Sequence, residues 1–76
     1  MKSLEEFVAL FSEQFDETEG ITPETVFHEL DEYSSLIALS IIAMVDEEFE
    51  VALKADDMKK AVTVNDLYNI VKEKLA

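Results

Sequence analysis

With 76 residues, the chain is long enough for one domain, residues 1–76, and too short to enclose a deep catalytic cleft. Its 49% hydrophobic residues, together with one glycine and one proline, exclude a disordered acidic tail and favour a compact helical fold. Eighteen acidic against six basic residues give a net charge of -12, which disfavours nucleic acid and anionic membranes as partners.

The first predicted helix covers residues 4–15. Its apolar residues recur at helical spacing: Leu4, Phe7, Val8, Phe11 and Phe15. Ser3, with Glu6 three residues later, is the signature of a capping box at the start of this helix.

A long connection follows, over residues 16–34, in which the helical periodicity fails. Gly20 and Pro23 mark turns, and Thr22 before Pro23 predicts a short turn with threonine as its cap. We expect Phe27 and its apolar neighbours to attach this connection to the core.

The second predicted helix is the most apolar segment of the chain and begins at Ser34 and Ser35. At about 100° per residue, one face forms a core stripe: Ala38, Ile41, Ile42, Val45 and Phe49. The opposite side mixes apolar and acidic residues: Leu36, Leu39, Ser40, Ala43 and Glu47, with Asp46 at the margin. An apolar strip edged by carboxylates is typical of a docking surface. The alternative is that later helices bury this second side too.

Two further helices complete the predicted fold. Residues 55–61 place acidic residues first and basic residues last, which suits a helix of about two turns. Thr63 and Asp66 cap the final helix, whose apolar stripe recurs at helical spacing: Val64, Leu67, Tyr68, Val71 and Leu75. The predicted fold is therefore all-α, a small four-helix bundle with a long first loop and a short third helix.

Few residues in the chain are suited to catalysis or metal binding. Without cysteine there is no thiolate nucleophile, and the single histidine, His28, has no second ligand with which to complete a zinc site, so we predict a loop or packing role for it. The acidic start lacks an apolar signal segment, and the apolar run at residues 36–45 is about half a membrane span. We expect a monomeric cytoplasmic protein with no catalytic site, no metal site and no membrane insertion.

The order of these motifs resembles the acyl carrier protein family over nearly the whole chain. The family pattern is a phenylalanine in the first loop, then Asp-Ser-Leu, an apolar helix, and an acidic cluster that ends in an aromatic residue. The matching positions here are Phe27, Ser34-Ser35-Leu36, the helix to Val45, and Asp46-Glu47-Glu48-Phe49, with Tyr33 as the aromatic residue before the serine pair.

The resemblance implies that Ser35 carries a 4'-phosphopantetheine, attached to its hydroxyl by a phosphopantetheinyl transferase. The terminal thiol of that group would hold acyl intermediates as thioesters for fatty acid, polyketide or related biosynthesis, and the protein would be a carrier instead of an enzyme. The resemblance also implies a set of partner-binding residues. Ser34 occupies the position associated with the transferase, and six residues of the following helix meet basic patches on acyl-transferring or synthase enzymes: Leu36, Ile37, Leu39, Asp46, Glu47 and Glu48.

One position departs from the family pattern. Ser34 stands where the family has an aspartate that is associated with divalent metal and transferase recognition. Serine and aspartate are nearly equivalent as helix caps, so the fold should tolerate the exchange. Two functions therefore stay open: a covalent carrier, and an interaction module that keeps the carrier fold without modification at Ser35.

Overall fold

The computed structural model describes residues 2–16 and 20–75. Within these residues the chain forms four α-helices: α1 (Leu4–Ser12), α2 (Ser35–Phe49), α3 (Ala55–Lys60) and α4 (Val64–Leu75). A short 3-10 helix, Phe27–Glu29, lies in the connection between α1 and α2. Since α1 packs against α2 and α4, and α3 packs against α4, the predicted all-α bundle is confirmed.

Aromatic rings from different elements meet in the core. Phe7 of α1 lies 5.6 Å from Phe49 of α2 and 5.4 Å from Tyr68 of α4, between ring centroids. Phe11 contacts Phe27 of the connection, at 5.5 Å. Such edge and tilted contacts add specific geometry to the burial of large apolar side chains. The phenylalanines of α1 therefore lie at the centre of the bundle, as their spacing predicts.

Helix α1 ends at Ser12, three residues before the predicted end, so that boundary was wrong. The Ser12 hydroxyl donates to the carbonyl of Val8 at 2.8 Å, a side-chain bond that competes with helical backbone geometry. The amides of Gln14 and Phe15 then bond to carbonyls three residues earlier instead of four, at 3.1 and 3.0 Å. Phe15 is still buried, so its place in the core was predicted correctly.

The core stripe of α2 differs in part from the prediction. Ile41, Val45 and Phe49 are buried, whereas Ala38 and Ile42 are only half-buried. Met44, which was not assigned to this stripe, is buried. The buried face is therefore turned toward α1, and the side that carries Ala38 and Ile42 borders a cavity.

The connection between α1 and α2 is attached to the beginning of α4 by backbone hydrogen bonds. Its predicted turn is present, because the amide of Thr25 bonds to the carbonyl of Thr22 at 3.1 Å. The carbonyls of Pro23 and Thr25 accept the amides of Asn65 and Val64, at 2.9 and 3.1 Å. Residues 17–19 of this predicted connection lie outside the described residues.

The last helix begins as predicted. The Asp66 amide donates to the Thr63 hydroxyl at 3.1 Å, and the Thr63 amide donates to the Asp66 carboxylate at 3.0 Å, which completes the capping pair. Leu75 is 44% exposed, so its assignment to the apolar stripe was wrong. None of the helices found in residues 2–16 and 20–75 has the length and apolar character needed to cross a membrane.

Candidate functional site

Ser34 and Ser35 occupy different positions at the start of α2. Ser34 is the N-cap, with φ -152° and ψ 175°, and its hydroxyl accepts the amide of Ile37 at 3.3 Å. Ser35 is the first residue with helical geometry, and it is exposed. The hydroxyl of Ser34 is thus engaged in capping, while Ser35 presents its hydroxyl at the open end of the helix.

The electrostatics at this end of α2 favour a negatively charged group. The first amides of a helix have no partner within the helix, and the helix dipole places partial positive charge there. The first turn of α2 contains no acidic residue. A phosphate on the hydroxyl of Ser35 would therefore be stabilised by this helix terminus.

A cavity of about 380 Å³ lies beside Ser35. Its lining comes from the connection, α2 and α3, and most of the lining surface is apolar. The residues that line it are His28, Tyr33, Ser34, Ser35, Ala38, Leu39, Ile42, Ala55, Met58 and Lys59. Among the described residues, no aspartate or glutamate lines this cavity. Lys59 contributes its one ammonium group.

His28 holds the connection against the end of α3. Its Nε2 lies 2.9 Å from the carbonyl oxygen of Met58 and 3.0 Å from that of Ala61. Because both carbonyls can only accept, Nε2 must carry a hydrogen and act as the donor. The ring also stacks on Phe27, with centroids 4.3 Å apart. The packing role predicted for His28 is confirmed.

Tyr33 lies near the end of the connection and lines the cavity. Its ring contacts Phe27 and His28, at centroid distances of 5.3 and 5.0 Å. Burial raises the pKa of the Tyr33 phenol above its ordinary value. Tyr33 therefore stays neutral at physiological pH and adds no negative charge to the cavity wall.

Four of the predicted partner-binding residues lie on the same side of α2 as Ser35. Leu36 is 72% exposed and Leu39 is 62% exposed, so the alternative that later helices bury this side was wrong. Asp46 and Glu47 are also exposed and follow on the same face at helical spacing. We call Leu36, Leu39, Asp46 and Glu47 the acidic-apolar face.

Ile37 and Glu48 are not part of this face. Glu48 is nine positions after Leu39, which at about 100° per residue places the two on opposite sides of α2. The Glu48 carboxylate lies 3.9 Å from the ammonium of Lys2, near α1, and Ile37 is half-buried against the core. The structure thus divides the six predicted residues of α2 into two groups.

The cavity and Lys59 were missed by sequence reasoning. The order of charges in α3 places Lys59 and Lys60 at its C-terminal end, but it does not indicate which of them turns toward α2. That direction depends on how α3 packs against α4. Helical periodicity is a weak signal in a helix of only six residues.

Comparison with protein families indicates the kind of domain that this chain forms. A family model described as the phosphopantetheine attachment site matches residues 5–71. No solved structure gives a significant match to the chain. The matched range contains α2, α3, all of α1 except Leu4, the exposed Ser35 and the residues that line the neighbouring cavity.

Proposed function

Because this chain belongs to the phosphopantetheine attachment family, we propose that Ser35 is the residue that bears the prosthetic group. Members of this family are carriers and not catalysts, and their prosthetic group is a covalent 4'-phosphopantetheine. When bound, that group supplies a terminal thiol on which acyl groups are held as thioesters. The chain itself has no cysteine, so it contains no other thiol.

The observation that carries this proposal is that Ser35, a residue with a hydroxyl, is exposed at the first helical position of α2. The residues around it fit a phosphate ester. The helix terminus favours negative charge, and the adjacent cavity contains no carboxylate of the described chain. Ser34 is the less suitable hydroxyl, because it already accepts the amide of Ile37.

Each part of the site has a separate task in this proposal. Ser34 fixes the first turn of α2 and thereby the direction of the Ser35 side chain. The helix terminus stabilises the phosphate charge. Phe27 and His28 hold the connection that leads into Ser34 against the core and against α3.

A carrier must be recognised by the enzymes that modify and use it, here a phosphopantetheinyl transferase and acyl-transferring or synthase enzymes. We propose that the acidic-apolar face contacts basic patches on these partners. Opposite charges would speed encounter, and the exposed leucines would hold the complex together. We propose that the cargo belongs to fatty acid, polyketide or related biosynthesis and that residues 1–76 act as one monomeric carrier domain.

Intact-mass spectrometry after incubation with a broad-specificity phosphopantetheinyl transferase, coenzyme A and magnesium tests the attachment site. We expect the native chain and Ser34→Ala to gain the mass of one phosphopantetheine. The matched variant Ser35→Ala should gain none. A mass gain in Ser35→Ala would overturn the assignment of the residue.

A second candidate function is favoured by one observation, the serine at position 34 in place of the aspartate of carrier proteins. In that case the chain would be an interaction module that binds basic partners through the same face without modification. The mass experiment separates the two functions. A native chain that stays unmodified while it forms a stable complex with a partner would support the interaction module.

A further inference from the structure

The cavity beside Ser35 differs in charge from the rest of the molecule. The chain carries eighteen acidic residues, yet among the described residues none lines this cavity, whereas Lys59 does. Elsewhere on the surface, cavities include carboxylates, such as Glu13 and Glu47 in the one between α1 and α2. A local excess of positive charge beside a hydroxyl suits an anionic group attached to that hydroxyl.

Lys59 differs from other lysines of the chain in its surroundings. The ammonium of Lys2 lies 3.9 Å from Glu48, that of Lys74 lies 3.3 Å from Asp57, and that of Lys72 lies over the ring of Tyr68. Within residues 2–16 and 20–75, Lys59 makes no ion pair, as is also true of Lys54 and Lys60, but of these three lysines only Lys59 lines the cavity. Its ammonium can therefore pair with an anionic group that is attached to the polypeptide after synthesis.

The covalent attachment limits which part of a prosthetic group can meet Lys59. A phosphate bonded to the hydroxyl of Ser35 must remain at the start of α2, whereas the far end of a flexible arm can move away. Ser35 and Lys59 line the same cavity. The phosphate is thus the anionic group of the arm that must stay at the cavity that Lys59 lines.

We propose that the ammonium of Lys59 pairs with the phosphodiester on Ser35 and holds the first part of the arm over the apolar wall of the cavity. This inference rests on the proposed function at Ser35. Leu39 and Ile42 of α2 form part of that wall and offer apolar contacts to the arm. Lys59, which belongs to α3, would thus position the phosphodiester that is attached to Ser35 of α2.

Spectroscopy is the appropriate test, because a single exposed ion pair contributes little to stability. Mass spectrometry first establishes that the native chain is modified, and this step alone tests the proposed function. The ¹⁵N resonance of the Lys59 ammonium and the ³¹P resonance of the phosphodiester are then measured in the modified chain. We expect the Lys59 resonance to shift on modification and to return toward its original position as salt is raised.

Lys60 provides a matched control, because it is the adjacent residue, is exposed and does not line the cavity. Lys59→Gln and Lys60→Gln remove the same charge from the same short helix. We expect Lys59→Gln to shift the ³¹P resonance, Lys60→Gln to leave it unchanged, and Lys59→Arg to restore it. Equal effects of the two glutamine variants, or an unshifted Lys59 ammonium in the modified native chain, would overturn the proposal while leaving the attachment at Ser35 intact.

If Lys59→Gln is not modified by the transferase, the native chain still decides the question. The Lys59 and Lys60 ammonium resonances can be compared before and after modification in that single protein. A shift at Lys59 that is absent at Lys60 supports the pairing. Shifts of the same size at both lysines contradict it.

Discussion

The hydroxyl oxygen of Ser34 lies 3.3 Å from the amide nitrogen of Ile37, and this hydrogen bond caps the helix that begins with Ser35. Removal of the cap in Ser34→Ala should lower the free energy of unfolding by about 1 kcal/mol. Ser34→Asp should keep the native stability, because aspartate caps equally well. Urea denaturation of the three proteins measures the difference, and an unchanged midpoint in Ser34→Ala would show that the cap is dispensable.

Ser34→Asp also tests the effect of the departure from the carrier pattern. We expect this variant to be modified faster than the native chain, because it restores the aspartate that the family associates with metal and transferase recognition. Initial rates at several magnesium concentrations, followed by intact mass, provide the measurement. Ser34→Asn caps the helix without the carboxylate and is the control. Equal rates for the native chain and both variants would mean that position 34 does not limit modification.

Glu50 ends α2 in a left-handed conformation, with φ 56° and ψ 40°. A residue with a Cβ atom is strained there, so Glu50→Gly should raise the free energy of unfolding by about 1 kcal/mol. Glu50→Gln removes the charge but keeps the strain, and it isolates the electrostatic part of the change. Thermal denaturation at high salt compares the two. If Glu50→Gln stabilises as much as Glu50→Gly, charge and not backbone conformation is responsible.

The carboxylate of Asp66 makes stability depend on pH. It accepts the amides of Thr63 and Val62 at 3.0 and 3.1 Å, and these bonds lower the pKa of Asp66 in the folded chain. A folded pKa below the unfolded one means that the stabilisation is present above the unfolded carboxyl pKa. It is lost as the pH falls below about 4 toward the folded pKa.

The measurement is the free energy of unfolding against pH for the native chain and Asp66→Asn. We expect the native chain to be more stable at neutral pH and the two curves to converge in acid. Asp31→Asn, in an exposed turn, serves as the control for the loss of one charge. A constant gap between the native and Asp66→Asn curves down to the lowest pH would contradict this interpretation.

The acidic-apolar face should be needed for binding to a phosphopantetheinyl transferase. Leu39→Ala should weaken binding of the unmodified chain about tenfold, because it removes an exposed apolar contact next to Ser35. Calorimetry without coenzyme A measures the affinity. Leu75→Ala, in a leucine that is exposed at the end of α4, is the matched control. Similar losses in both variants would exclude a specific role for Leu39.

The dependence of transferase binding on salt should measure the electrostatic contribution of the acidic-apolar face. We expect the transferase to bind the native chain less tightly as ionic strength rises, because the opposing charges are screened. Glu47→Gln should reduce this salt dependence more than Glu73→Gln, which removes an exposed charge from α4. Affinity that does not change with salt would mean that the carboxylates of α2 do not guide recognition.

Local sequence signals were sufficient for the parts of the fold that depend on local physics. Helical spacing identified the apolar side of α1, and hydrogen-bonding side chains identified its start at Ser3 and that of α4 at Thr63. The position of Ser35 at the start of α2 followed in the same way. Caps and periodicity involve residues within one or two turns, so they can be recognised without knowledge of the tertiary structure.

The features that escaped prediction depend on residues far apart in the chain. The bonds from the connection to Val64 and Asn65 join segments about forty residues apart. The cavity exists only because α3 lies beside α2, and this packing also places Lys59 in the cavity lining. The early end of α1 depends on a competition between the Ser12 side chain and the backbone, which composition does not resolve.

The backbone bonds from Pro23 and Thr25 to α4 also constrain the order of events during translation. The ribosome synthesises the connection and Ser35 well before it synthesises Val64 and Asn65. The amides of these two residues bond to the connection and hold it in place. A nascent chain that ends before α4 lacks these bonds. We therefore expect the connection before Ser35 to be less ordered in it, and the chain to be a poor substrate of the transferase. We therefore expect modification of Ser35 to follow the synthesis of α4.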